Sequence, residues 1–97
     1  MLWHIVRFQF RPDVDDDERV ALEGDLRALG DSIDEVVWLA VSRSVDEPAV
    51  TGLLTVFADS AALAAYRDHA LHVPVVERAR ALCSDIVRLD MTAGTPG

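Results

Sequence analysis

The sequence predicts an α+β domain in which a four-stranded antiparallel sheet carries helices on one face, and three observations predict it. Four segments alternate their side chains with a period of two, and three others carry apolar stripes at helical spacing. Together they run β, α, β, β, α plus α, β, a split βαβ order. The two middle strands are apolar on both faces, so helices on one side leave the other side to be covered by something else. At 97 residues the chain is one domain. Alone it buries only about 60–65% of its unfolded surface, so an isologous twofold partner is the expected cover.

Leu2 to Phe10 opens the chain as a strand, with Leu2, His4, Val6, Phe8 and Phe10 on one face and Trp3, Ile5, Arg7 and Gln9 on the other. Arg11-Pro12 closes it. Asp15 and Glu18 have the spacing of a capping box, and Asp16 and Asp17 add negative charge where the helix dipole favours it. A helix is therefore expected from about Asp16 to Leu29, with Gly30 as its stop. Leu22, Leu26 and Leu29 form its inner stripe, while Asp17, Glu23, Asp25 and Arg27 are expected to face water or one another. The acidic run from Asp13 to Glu18 reads as a solvated cap rather than a metal site.

Val36 to Ser44 and Val50 to Phe57 are the next two strands, joined by a loose hairpin through Val45-Asp46-Glu47-Pro48. Trp38 and Ala40 point one way and Val37, Leu39 and Val41 the other; on the following strand Leu53 and Thr55 oppose Leu54 and Val56. Asp59 is a good N-cap for a helix from Ser60 to about His69, whose alanines, Ala61, Ala62, Ala64 and Ala65, permit close approach to the sheet. Pro74 to Cys83 follows as a helix with Val75, Val76, Ala79, Leu82 and Cys83 inside, and Asp85 to Met91 as the fourth strand. Residues 1–91 thus make the domain, and residues 92–97 a flexible tail.

Composition narrows the function. Hydrophobic residues make up 51% and charged residues 27%, a globular balance too interrupted for the roughly 20 apolar residues of a membrane span. Met1 leads straight into LWHIVRFQF with no basic n-region, so no signal peptide is read and the cytoplasm is the expected location. Net charge is −8, all nine basic residues are Arg, and no Gly-rich phosphate loop occurs, which argues against nucleic acid as a partner. Without Lys there is no Schiff-base chemistry. Cys83, the only cysteine, allows neither an internal disulfide nor a cysteine-based zinc site, and its place on a helix stripe marks a buried, inert thiol.

The chemistry-bearing residues crowd into Ala65 to Val76, AYRDHALHVPVV, which holds the one Tyr and two of the three His. On an unbroken helix Tyr66 and His69 would be neighbours and His72 would drift off their stripe. Pro74 has no N–H to donate and biases Val73 away from helical geometry. One helix is therefore expected to end near Ala70 and the next to begin near Pro74, leaving His72 at the corner to turn back toward Tyr66. A phenol and an imidazole so placed are an acid and a base usable near neutral pH. The same side chains also suit plain packing on an inner stripe. His4 shares its strand face with Val6 and Phe8, which places it with Tyr66 and His72, whereas His69, before the break, is the more structural of the two.

His4-Ile5-Val6 on the first strand, Phe57 two residues before a helix cap, Ala65-Tyr66 and His69-Ala70-Leu71-His72-Val73 together resemble the stress-responsive A/B barrel (Dabb) family, from His4 to about Asp90. The family usually has Pro directly after the first His of this run, where this sequence has Ala70. The resemblance implies a dimeric α+β barrel in which two ferredoxin-like sheets pack face to face. One member, a plant polyketide cyclase, closes a poly-β-keto chain by cofactor-free aldol chemistry with residues that match His4, Tyr66 and His72. In that role His72 would remove a proton beside a carbonyl, Tyr66 would hydrogen-bond the developing enolate and His4 would orient the substrate. The cyclase also has a third-strand His, where this sequence has Thr51 or Gly52.

Three functions follow as expectations. The first is a binder or enzyme for a small apolar molecule with a carbonyl or hydroxyl, with no cofactor and no metal. Its pocket would lie between sheet and helices, built from His4, Phe8, Trp38, Tyr66 and His72, with His69 as a further ligand contact. The second is a non-enzymatic, stress-associated assembly protein whose property of interest is its dimer. The third is a divalent-metal module on His69, His72 and Asp68, which lacks a fixed carboxylate partner. Neither nucleic acid nor a membrane is an expected partner.

Overall fold

The computed structural model describes residues 1–96; Gly97, the end of the expected tail, lies outside them. The elements are β1 Leu2–Phe10, α1 Asp16–Ser32, β2 Trp38–Arg43, β3 Val50–Phe57, α2 Ser60–Arg67, α3 His72–Leu82 and β4 Cys83–Thr92. All strand pairs are antiparallel, in the order β2-β3-β1-β4, which is the expected ferredoxin-like α+β arrangement.

Residues opposite each other across the ladder share a face, so the register sorts the sheet into rows. On the helix side the rows are Leu39, Thr55, His4, Asp90 and then Val41, Leu53, Val6, Arg88. On the other side run Trp38, Val56, Trp3, Met91 and then Ala40, Leu54, Ile5, Leu89. The helix-side apolar residues join Leu22, Leu26 and Leu29 of α1, Leu63 and Tyr66 of α2, and Val75 and Ala79 of α3 in one core. The other face stays open: Leu89 is 57% exposed, Val87 50% and Met91 45%.

α1 begins as its sequence dictates. The Asp15 carboxylate accepts from Asp17 N–H and the Glu18 carboxylate accepts from Asp15 N–H, closing the capping box. Gly30 does not stop the helix, which runs on to Ser32 and caps at Ile33. A Cβ at Gly30 would come within 3.2 Å of Leu39 Cβ, so this glycine is spent on close helix–sheet approach rather than on termination. Glu23, expected to face water, is only 3% exposed. It accepts hydrogen bonds from Arg43 Nη2 at 2.9 Å and from Thr51 Oγ1 at 2.7 Å, while Arg19 donates to Thr51 Oγ1 and to the Pro48 carbonyl. The Arg19 guanidinium also lies 4.8 Å from the centre of the Phe10 ring. Helical spacing puts Glu23 off the leucine stripe; β2 supplies the cation Arg43 and β3 the Thr51 hydroxyl that bury it.

Asp59 caps α2 by accepting from Ala62 N–H at 2.9 Å. The expected alanine approach is not made by Ala61, Ala64 and Ala65, which are exposed; Leu63 and Tyr66 are the residues α2 buries. The break falls two to three residues earlier than Pro74 predicts: α2 ends at Arg67 and α3 starts at His72. Pro74 sits in the first turn of α3, where backbone N–H groups have no intrahelical partner and a missing one costs nothing. Cys83 is not on the α3 stripe. It caps the helix and opens β4, partly buried. β4 runs on through Thr92, and beyond it Ala93 N–H donates to the Met1 carbonyl and the Trp3 indole N–H to the Gly94 carbonyl at 2.8 Å.

Candidate functional site

A cavity of about 520 Å³ lies between the sheet and the helices, within the range of small-molecule pockets. Val6, Phe8, Leu53 and Leu63 form apolar wall, and His4, Tyr66 and His72 supply its polar spot. β1 delivers His4 because its inward side chains alternate, and the α2–α3 corner delivers His72 onto the Tyr66 ring, with ring centres 4.3 Å apart. The His4 ring meets the edge of Tyr66 at 6.4 Å.

Each of the three side chains is held at one end and free at the other. His4 Nδ1 is 2.5 Å from Asp90 Oδ1, its neighbour across the β1–β4 ladder. His72 Nδ1 lies 3.0 Å from the Arg67 carbonyl, which can only accept, so the proton sits on Nδ1. The same logic puts the His4 proton on Nδ1 beside the carboxylate. Neither Nε2 has a partner among the described residues, which leaves both as acceptors for a molecule in the cavity. Tyr66, 1% exposed, carries a hydroxyl with no hydrogen-bond partner. Burial pushes this phenol up to about 12, with the Thr55 hydroxyl opposing, so it stays a donor. The two hydroxyls do not meet hydrogen-bond geometry, and Thr55 Oγ1 is likewise unpartnered. Burial also pushes the His72 imidazole below its ordinary value, against the Arg67 carbonyl, which favours the protonated ring.

His4, Phe8, Tyr66 and His72 therefore converge as expected. Trp38 and His69 do not join them. Trp38 lies on the open face, its ring 6.1 Å from Trp3 and the two flanking Val56 in one row. β2 carries its even-numbered residues on the side away from the helices, and Leu39 and Val41 take the inward positions. His69 Nδ1 accepts from Leu71 N–H at 3.0 Å, which spends the ring on the α2–α3 turn. Among the described residues no group of three or more His, Cys, Asp or Glu side chains is placed to hold a metal. Cys83 lines the cavity, and burial pushes its thiol up to about 11, so little thiolate forms near neutral pH. Asp90 is the residue that sequence reasoning missed. It falls within the expected fourth strand, but only strand pairing puts it beside His4.

A ferredoxin-like sheet with one apolar face open and a histidine–tyrosine cavity under its helices defines the class as small α+β barrel proteins. Within that class the chain belongs to the stress responsive A/B barrel domain family, whose sequence pattern matches residues 2–93. Solved structures agree on the fold. A protein from Arabidopsis thaliana superposes with a TM-score of 0.86 at 15% identity, covering 100% of this chain and 99% of that one. A dimeric ferredoxin-like protein of unknown function from Thermobifida fusca gives 0.85 at 18% identity, covering 95% and 90%. A cofactor-independent oxygenase from Streptomyces nogalater gives 0.82 at 17% identity, covering 98% and 94%. No curated protein matches the sequence significantly. Among the described residues, no helix is long and apolar enough to cross a membrane.

Proposed function

We propose that the protein binds a small apolar carbonyl compound in this cavity and performs proton-transfer chemistry beside the carbonyl with its own side chains. The observation that carries the reading is the buried, unpartnered hydroxyl of Tyr66, whose ring packs against two imidazoles with Nε2 atoms that are also free. A packing role would pair such groups, because a buried unsatisfied hydroxyl costs about 1–3 kcal/mol. A ligand oxygen on Tyr66 removes that cost. The base role falls to His4 rather than His72: the Asp90 carboxylate offsets the positive charge that the His4 ring acquires, whereas His72 faces only a carbonyl and is held neutral by burial. His4 Nε2 takes the proton from the carbon beside the carbonyl, the C–H electron pair forms the enolate, Tyr66 hydrogen-bonds its oxygen, and His72 accepts from a neighbouring ligand hydroxyl. The working unit is a homodimer joined through the open sheet faces, as the apolar rows on that face and the dimeric fold neighbour suggest.

The test uses 2-decanone in D2O. Exchange of the protons beside its carbonyl is expected with wild type, falling at least about tenfold in His4→Gln and less in Asp90→Asn. Tyr66→Phe is expected to weaken ketone binding while leaving the melting temperature unchanged or higher, because the hydroxyl it removes has no partner to lose. If the ketone moves neither the His4 nor the His72 imidazole resonance, the non-enzymatic assembly reading replaces this one.

A further inference from the structure

The cavity carries more positive charge than the chain as a whole. Six of the nine arginines form ion pairs with carboxylates, and Arg27, Arg80 and Arg88 form none among the described residues, although the sequence holds 17 acidic residues. Two of those three, Arg80 and Arg88, line the cavity. Arg67 lines it too, its guanidinium 3.8 Å from Asp90, which His4 already engages. Against these three guanidiniums the lining offers one carboxylate, Asp85. In a chain of net charge −8, two of the three unpaired arginines stand together at the exposed edge where an apolar cavity opens beside β4 and α3.

We infer that the ligand is an acid: an apolar body whose carboxylate is held by Arg80 and Arg88, with a carbonyl or hydroxyl at the His4–Tyr66–His72 end. This rests on the small-molecule reading of the cavity and names the class of molecule it takes. Arg88 stands opposite Val6, one inward row from the His4–Asp90 row. Two residues along a strand are about 6.6 Å, so the two oxygen functions are separated by several carbons rather than adjacent. Guanidinium donors bind carboxylates through paired hydrogen bonds, which fixes the head and thereby the orientation of the carbonyl toward Tyr66.

The experiment measures displacement of the neutral fluorophore N-phenyl-1-naphthylamine by decanoate and by 1-decanol, which share an apolar chain and differ in the head. Wild type is expected to bind the fluorophore and to prefer decanoate by about tenfold or more, with the preference dropping to about twofold or less in Arg80→Gln/Arg88→Gln. Arg27→Gln, which removes an unpaired guanidinium charge away from the cavity, is expected to keep it. Fluorophore binding with equal displacement by acid and alcohol overturns the acid and leaves the cavity reading standing. A preference that survives Arg80→Gln/Arg88→Gln, or falls equally in Arg27→Gln, also overturns it. Absence of fluorophore binding, with the fold verified by circular dichroism, overturns the cavity reading and the acid together.

Discussion

At the scale of single residues, His72 makes the site sensitive to pH. Burial holds its folded-state value below 6.5, so between that value and 6.5 the unfolded chain binds a proton that the fold refuses. The stability linked to this ring is present in full above about pH 6.5 and is lost as pH falls through the folded value. Melting curves from pH 7.5 down to 5.0 are expected to fall more steeply for wild type than for His72→Gln, which keeps a donor for the Arg67 carbonyl and does not titrate. Parallel curves would mean that the ring is not buried in its neutral form. His4, Tyr66 and His72 were legible as candidates because strand alternation and helical spacing are local properties of the chain. Asp90 was not, since it lies 86 positions from His4 and reaches it only through the β1–β4 ladder.

Among the elements, α1 is the one whose docking departs most from its pattern. Its leucine stripe buries as the period predicts, and each Leu contributes about 1.5–3 kcal/mol. Beside that stripe Glu23 forms an ionic link to β2 and β3. Burial opposes its charge, but the hydrogen bonds from Arg43 and Thr51 win and hold the carboxyl below its ordinary 4.5. Glu23→Gln is expected to destabilise the fold by about 3 kcal/mol at pH 7, the low end of the cost of breaking a buried pair, because Arg43 is half exposed and keeps Asp16. A folded value below the ordinary one means that this contribution is present above about pH 4.5 and lost as pH falls through the folded value, so the gap between wild type and variant in urea unfolding should close there. A gap unchanged at pH 3.5 would refute the linkage. Helical spacing alone assigns Glu23 to the outer face, and no local signal shows that an arginine and a threonine from two other elements will meet it.

For the molecule as a whole, the decisive feature is the open face of the sheet. Trp38, Leu89, Val87 and Met91 are 40–57% exposed, all on the side of the sheet away from the helices. A sheet face of this kind buried against its own copy makes a large, obligate interface, and such dimers have no stable folded monomer. Light scattering at micromolar concentration is expected to give about twice the 10.6 kDa chain mass. Ile5→Glu, placed between Leu54 and Leu89 in the middle of that face, is expected to unfold the protein rather than release folded monomers. A folded monomer in either experiment would show that something other than a second copy covers the face. The doubly apolar strands already required such a cover, because helices shield only one side of a sheet this small.

The kind and order of the elements follow from the chain alone, because alternation, helical stripes, the Asp15 and Asp59 caps and the break before Pro74 act over a few residues each. Their bounds shift by a few residues where packing outweighs the local signal, as when Gly30 serves contact with Leu39 instead of ending α1. The side of the sheet on which a residue stands also depends on its neighbours. Trp38 is large and aromatic enough for a pocket, yet Leu39 and Val41 take the inward positions of β2 and send it to the open face. Pairings between charges distant in sequence, His4 with Asp90 and Glu23 with Arg43, exist only after the strands align, because a short-range pattern holds no information about which partner a buried polar group will meet.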